Sequence, residues 1–204
     1  MSASPAPCEV QVGEQSSEKE EVEVELFDRK LLQSLDISLC STTSFNPPIS
    51  VEAPGEDLIM RPLAKGDFHR GFLSLLSQLT SVGEISEEQW LQRFNRMLSM
   101  QGTYLVTVIE DTSTGQVVGA ATLVVEDKFI HGCGRVGRVE DVVVSKEVRG
   151  RQLGKLLLVT LILLARAQGC YKVTLNCADP MVKFYNGFGF RCEDGDANFM
   201  ALRL

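Results

Sequence analysis

Residues 140 to 155 read Glu140-Asp141-Val142-Val143-Val144-Ser145-Lys146-Glu147-Val148-Arg149-Gly150-Arg151-Gln152-Leu153-Gly154-Lys155. An apolar strand runs into a short loop rich in Arg and Gly, and the loop feeds an apolar helix. A helix start offers backbone N–H groups without partners of their own and the positive end of the helix dipole. That combination suits a pyrophosphate, and Arg149, Arg151 and Lys155 add formal charge beside it. Taken alone, these residues also fit a plainer reading, a basic loop that only caps a helix. Glu140 and Asp141 form an adjacent carboxylate pair. Side chains alternate faces along an extended strand, so the two are expected to point apart and not to share one proton. Two solvated charges at a strand start are the alternative. Further on, Tyr185 stands among Phe184, Phe188 and Phe190, where a phenol could donate a proton or simply stack in a core.

These residues need a scaffold, and the periodicity supplies one. Residues 58–63 read as a first strand stopped by Pro62, and Lys65-Gly66-Asp67 caps a helix over 69–79 with Phe68, Phe72, Leu75, Leu76 and Leu79 at helical spacing. Ser86 caps a second helix running to about Met100. Residues 104–110 and 116–126 form a hairpin around the turn 111–115. A strand over 137–144 precedes a long helix over 153–168, ended by Gly169. A strand over 172–176, a helix over 180–188 and a closing strand over 199–203 complete the pattern. Strands mixed with crossing helices predict an α/β sandwich around a central sheet.

The 204 residues fit one domain with an extension. A net charge of −7 argues against a general nucleic-acid binder, without excluding a local cationic pocket. The six cysteines, Cys8, Cys40, Cys133, Cys170, Cys177 and Cys192, show no C-x-x-C spacing and no nearby His cluster, so no metal site is expected. The N-terminus is acidic rather than basic then apolar, which does not fit an export signal, so reduced thiols in the cytoplasm are the default. The apolar run from Leu156 to Ala165 is too short for a transmembrane segment and reads as a core helix. The expected organisation is an acidic, largely disordered extension over 1–40, a linker or arm over 41–57 and the main α/β domain over 58–204. Within the extension, Leu26, Phe27, Leu31, Leu32, Leu35, Ile37 and Leu39 supply apolar anchors for this domain or for a second subunit.

The pattern Arg149-x-x-Gln152-x-Gly154, after a strand and before a buried helix, resembles the acetyl-CoA loop of the GNAT acetyltransferase superfamily, with Gln152 where the family pattern has its first glycine. Further blocks follow in order: Lys128-Phe129-Ile130-His131, Arg138 to Val144, Gln152 to Leu157, Cys170-Tyr171-Lys172 and Phe184-Tyr185-x-x-Phe188-Gly189-Phe190. Over about residues 40–204 this series is similar to the glucosamine 6-phosphate N-acetyltransferases of that superfamily.

The resemblance implies a GNAT fold, a mixed central sheet with helices on both faces. It implies transfer of acetyl from acetyl-CoA to the amine of glucosamine 6-phosphate, as a step toward UDP-N-acetylglucosamine, in a homodimer without metal. It makes Tyr185 the proton donor to the departing thiolate and places Asn176, Glu140 and Asp141 at the amine. Val142, Val143, Val144, Arg149, Gly150, Arg151, Gln152, Leu153, Gly154 and Lys155, together with Tyr185, would hold the cofactor. Thr80, Lys128, Phe129, Ile130, His131, Tyr171, Lys172 and Arg203 would join the carboxylate pair around the sugar phosphate, some of them serving the partner's site. Cytoplasmic location follows, with peripheral association at endomembranes known in the family. Two positions depart from the family pattern: Asn176 replaces an acid, and Met181 replaces an asparagine. They motivate a competing reading, a copy that binds acetyl-CoA or dimerises with little turnover. A GNAT enzyme acting on another amine is a further alternative.

Overall fold

The computed structural model describes residues 23–40 and 44–192. The acidic tail before residue 23, Arg203 and the expected strand over 199–203 lie outside the described residues. In chain order the elements are α1 (Arg29–Gln33), β1 (Leu58–Pro62), α2 (Phe72–Leu76), α3 (Glu87–Ser99), β2 (Tyr104–Asp111), β3 (Gln116–Asp127), α4 (Ile130–Cys133), β4 (Arg135–Val144), α5 (Leu153–Ala167), β5 (Cys170–Leu175) and α6 (Val182–Asn186). α4 is one tight turn, with His131 and Gly132 at positive φ, rather than a regular helix.

Among the described residues five strands lie in the order β1-β2-β3-β4-β5. The first three pairings are antiparallel and β4 with β5 is parallel, so the sheet is mixed. Strand alternation divides the core between the two faces. From β2, Leu105 and Ile109 join the cluster under α5, whereas Val106 and Val108 join the cluster under α2 and α3. α5 is buried at Leu153 and at every residue from Leu156 to Ala165. A helix apolar on all sides must be covered on all sides. The sheet covers one side, and the N-terminal segment covers the other: Leu32 is buried in the α5 cluster, and Cys40 packs on Val159 and Leu163. Of the apolar anchors of that segment, Leu26, Phe27, Leu31, Leu32, Leu35 and Ile37 dock on this domain, whereas Leu39 is exposed. Thr160, the one hydroxyl in the stretch, donates to the Leu156 carbonyl at 2.9 Å and carries no unmet bond.

The helix expected over 69–79 is broken. A 3₁₀ turn covers Lys65–Phe68, Gly71 then takes φ +76, and α2 begins at Phe72. The break frees the Arg70 carbonyl to accept from Val117 N–H at 2.8 Å, which joins the interruption to β3. α3 keeps its expected start, with Ser86 and Gln89 forming a reciprocal capping box. Asp67, fully buried, accepts from both terminal nitrogens of Arg61 at 2.8 and 2.7 Å, and Glu110 accepts from Arg61 Nε at 2.7 Å. This buried network ties β1, β2 and the 3₁₀ turn together.

Candidate active site

β4 and β5 pair from Arg135 with Cys170 up to Val139 with Leu175. Beyond that point β4 continues to Val144 while β5 ends, and among the described residues no strand pairs with Glu140 to Val144 on that side. The parting leaves a row of main-chain N–H and C=O groups open to another extended, amide-bearing molecule. Within the opened stretch the register with β3 slips: Ala120 opposes Val143 and Thr122 opposes Glu140, so Asp141 and Val142 together face Ala121. Asp141 takes φ +52 at this bulge.

The bulge overturns the expectation that the carboxylates point apart. Glu140 shares the face of its register partner Thr122, and Thr122 lines the same cavity as Asp141. Partial burial, then the Glu140 charge, hold the Asp141 carboxyl above the usual carboxylate range. The cavity, about 640 Å³, lies between the sheet and α2–α3, with Phe72, Trp90, Phe94 and Val106 among its apolar walls and Gln89, Arg93 and Arg96 among its polar lining. Sequence reasoning left Trp90 and these arginines out of the site; the Trp90–Phe94 spacing on α3 signals an apolar face but not a cavity.

Val144 leads through Ser145 into a 3₁₀ turn at Lys146–Val148, then Arg149, Gly150 and α5. Gly150 has φ +84 and Gln152 φ +62, and no side chain caps α5. A Cβ placed on Gly150 would meet nothing within 4 Å, and one on Gly154 only Val144 at 3.7 Å. The helix start is thus open and lined by main chain, as a phosphate cradle requires. Three side chains expected there turn elsewhere. Arg151 donates to the Glu56 carbonyl at 2.8 Å, Gln152 donates to the Pro47 carbonyl at 3.1 Å, and Lys155 donates to the Ser44 carbonyl. Lys155 also lies 4.9 Å from the Phe45 ring centre. The residues they meet, 44–56, carried no sequence signal for this role, because main-chain carbonyls have no residue code. Arg149 is exposed at the loop.

Tyr185 is half-buried on α6, edge-on to Phe184 at 5.1 Å and to Phe190 at 6.1 Å, and it packs against the α5 core. Burial, followed by the nearby Cys177 charge, raises its phenol above the ordinary value, so it stays protonated at neutral pH. Asn176 follows β5 and is exposed. Met181 ends the 3₁₀ turn Asp179–Met181 and is also exposed.

A second group of expected residues gathers elsewhere. Lys128, Phe129, Ile130 and His131 form the turn between β3 and β4, where Lys128 pairs with Glu126. His131 stacks at 4.4 Å on Tyr171, at the start of β5 beside Lys172. Phe129 is 98% exposed and Ile130 62% exposed. This corner sits at the Arg135 end of β4, roughly 20 Å along the strand from Asp141. Thr80 lies just past α2, exposed, its N–H bonded to the Leu76 carbonyl. One chain therefore does not bring all the expected substrate residues together.

The model of the acetyltransferase (GNAT) family matches residues 70–190. A probable glucosamine 6-phosphate N-acetyltransferase of Drosophila melanogaster is 50% identical over 182 residues, 89% of this chain and 82% of that protein. Glucosamine 6-phosphate N-acetyltransferase 1 of Oryza sativa is 45% identical over 67% of this chain and 82% of its own. The crystal structure of glucosamine-6-phosphate N-acetyltransferase from Arabidopsis thaliana superposes with a TM-score of 0.67 at 33% identity, covering 71% of this chain and 99% of that one. With that agreement in sequence and in fold, the chain belongs to the acetyltransferase (GNAT) family, among the glucosamine 6-phosphate N-acetyltransferases.

Proposed function

We propose that the protein transfers the acetyl group of acetyl-CoA to the amine of glucosamine 6-phosphate, giving N-acetylglucosamine 6-phosphate and CoA. The observation that carries this reading is the parting of β4 from β5 beyond Val139 and Leu175, beside an uncapped helix start. The pantetheine amides lie along the free edge of Val142, Val143 and Val144, with the pyrophosphate at the main chain from Gly150 to Lys155. That placement aims the thioester toward the Asp141 bulge and Tyr185.

The sugar amine must shed a proton before its lone pair can attack the thioester carbon. Asp141, with its carboxyl held above the usual range, is suited to receive that proton, directly or through water, and Glu140 holds the ammonium near it. The Asn176 main-chain carbonyl is a second acceptor that the Asn side chain leaves intact. The new C–N bond forms a tetrahedral oxyanion, which the N–H groups of the free β4 edge stabilise. As it collapses the C–S bond breaks, the thiolate takes the proton of the Tyr185 phenol, and the nitrogen sheds its second proton through water, which restores the phenol.

The phosphate falls to the corner of Lys128, His131, Tyr171 and Lys172, together with Arg203. Roughly 20 Å of strand separates that corner from Asp141 within one chain, so we assign it to the site of a second copy. The exposed Phe129 and Ile130 suit burial in such a homodimer. No helix among the described residues is long and apolar enough to cross a membrane. The free thiols of Cys40, Cys133, Cys170, Cys177 and Cys192 suit the cytoplasm. The product then feeds UDP-N-acetylglucosamine synthesis.

CoA-thiol release measured with glucosamine 6-phosphate, glucosamine and glucosamine 1-phosphate tests the substrate. Release is expected with the 6-phosphate alone. Acetyl-CoA binding without turnover of any of the three would overturn the reading in favour of a non-catalytic copy. For the dimer, Tyr185→Phe and Lys128→Ala chains are each expected to be impaired, and mixing them should restore part of the rate. Failure to restore it in a mixed dimer would place both residues in one chain's site.

A further inference from the structure

Gln152 occupies the left-handed region at φ +62, where a glycine would sit without cost. Its carboxamide makes two bonds to one stretch of chain more than a hundred residues away in sequence. Its Oε1 accepts from Asn46 N–H at 3.1 Å, and its Nε2 donates to the Pro47 carbonyl at 3.1 Å. Arg151 to the Glu56 carbonyl and Lys155 to the Ser44 carbonyl hold the same stretch on either side. That stretch is fixed at both ends, through Cys40 on Val159 and Leu163 and through β1 at Leu58.

We propose that Gln152 is a positioning residue: its carboxamide clamps the arm from Ser44 to Glu56 onto the loop at the start of α5, and the clamp holds that loop in its phosphate-binding shape. The inference rests on the acetyl-CoA reading above. A loop passing through positive φ at both Gly150 and Gln152 has other conformations open to it, and the N–H groups of Gly150 to Lys155 converge on one point in few of them. The arm removes those alternatives before the cofactor arrives, so the cofactor does not bear the cost of ordering the loop. The coupling must be mutual: bound CoA must also tighten the arm. Arg149, which does not take part in the clamp, is left for the phosphates.

The test uses Gln152→Gly and Gln152→Asn in the full chain. Both residues tolerate positive φ, so neither adds strain, and neither reaches Asn46 and Pro47 as glutamine does. The expected result is a KM for acetyl-CoA and a Kd for CoA about tenfold higher in both variants, consistent with two lost hydrogen bonds. The KM for the sugar should hold, and kcat should change far less than the acetyl-CoA KM. Hydrogen exchange read at the Asn46 amide should slow on adding CoA to the wild type and stay fast with or without CoA in the variants. Unchanged CoA affinity in both variants, or an Asn46 amide indifferent to CoA in the wild type, would overturn the positioning role and leave the acetyl-CoA reading standing. A wild type that does not bind CoA would overturn that reading itself and this one with it. Should one variant fail to fold, CoA affinity in the other decides between the same two outcomes.

Discussion

Replacing Tyr185 by Phe removes one oxygen and leaves the ring. The edge-on contacts to Phe184 at 5.1 Å and Phe190 at 6.1 Å depend on the ring and survive. Among the described residues the hydroxyl makes no hydrogen bond, so the substitution strands no buried partner, and the change in folding stability should be about 1 kcal/mol or less. The chemical consequence is larger. A positioned proton donor contributes about 10²- to 10⁴-fold to rate, which corresponds to about 3–5 kcal/mol at the transition state. kcat for CoA release at saturating substrates should therefore fall at least about a hundredfold. Calorimetric affinity for acetyl-CoA should barely move, because the phenol acts on sulfur as the C–S bond breaks. The pH profile gives an independent reading. Burial raises the phenol above its usual value near 10, so the donor persists through pH 9 and the wild-type kcat should stay level to that point. A variant kcat within threefold of wild type, with both substrates saturating, would remove Tyr185 from proton transfer and leave it a packing residue.

Glu140 helps hold the Asp141 carboxyl up, so Glu140→Gln should shift the acid limb of kcat/KM toward lower pH, readable in a thiol-release profile from pH 4 to 8; an unmoved limb would take Asp141 out of the titration. Asp141 also carries a stability consequence. Its folded pKa lies above the unfolded value, so its contribution to stability is full at low pH and is lost as pH rises through the folded pKa. Asp141→Asn should accordingly raise Tm at pH 7, with the gain vanishing near pH 3, while kcat/KM falls. Arg61→Ala leaves the fully buried Asp67 with only Arg70 at 3.2 Å and the Ala64 N–H at 2.8 Å, and should cost about 3 kcal/mol in denaturant titration; a cost under 1 kcal/mol would mean that Arg70 by itself compensates the buried carboxylate.

Several features followed from residue order alone. Helical spacing and a Ser86 start fixed α3, alternation with a turn fixed the β2–β3 hairpin, and an apolar run interrupted only by Thr160 fixed α5 as a core helix. Such features depend on neighbours within a few residues, where side-chain period and capping chemistry act. The strand–loop–helix junction from Val144 to Leu153 was legible for the same reason, since strand, glycine and helix start are contiguous. Other features were decided by contacts across the chain. The bulge at Asp141 arises from pairing with Ala121, and it brings together two carboxylates that simple alternation would separate. The helix break at Gly71 is set by a bond from β3 to the Arg70 carbonyl. The roles of Gln152, Arg151 and Lys155 depend on carbonyls of the arm, and a carbonyl is the same at every residue, so no sequence pattern could mark them. Local order thus specified which groups the molecule carries. Long-range pairing specified where they meet, because register and main-chain hydrogen bonds depend on partners distant in sequence.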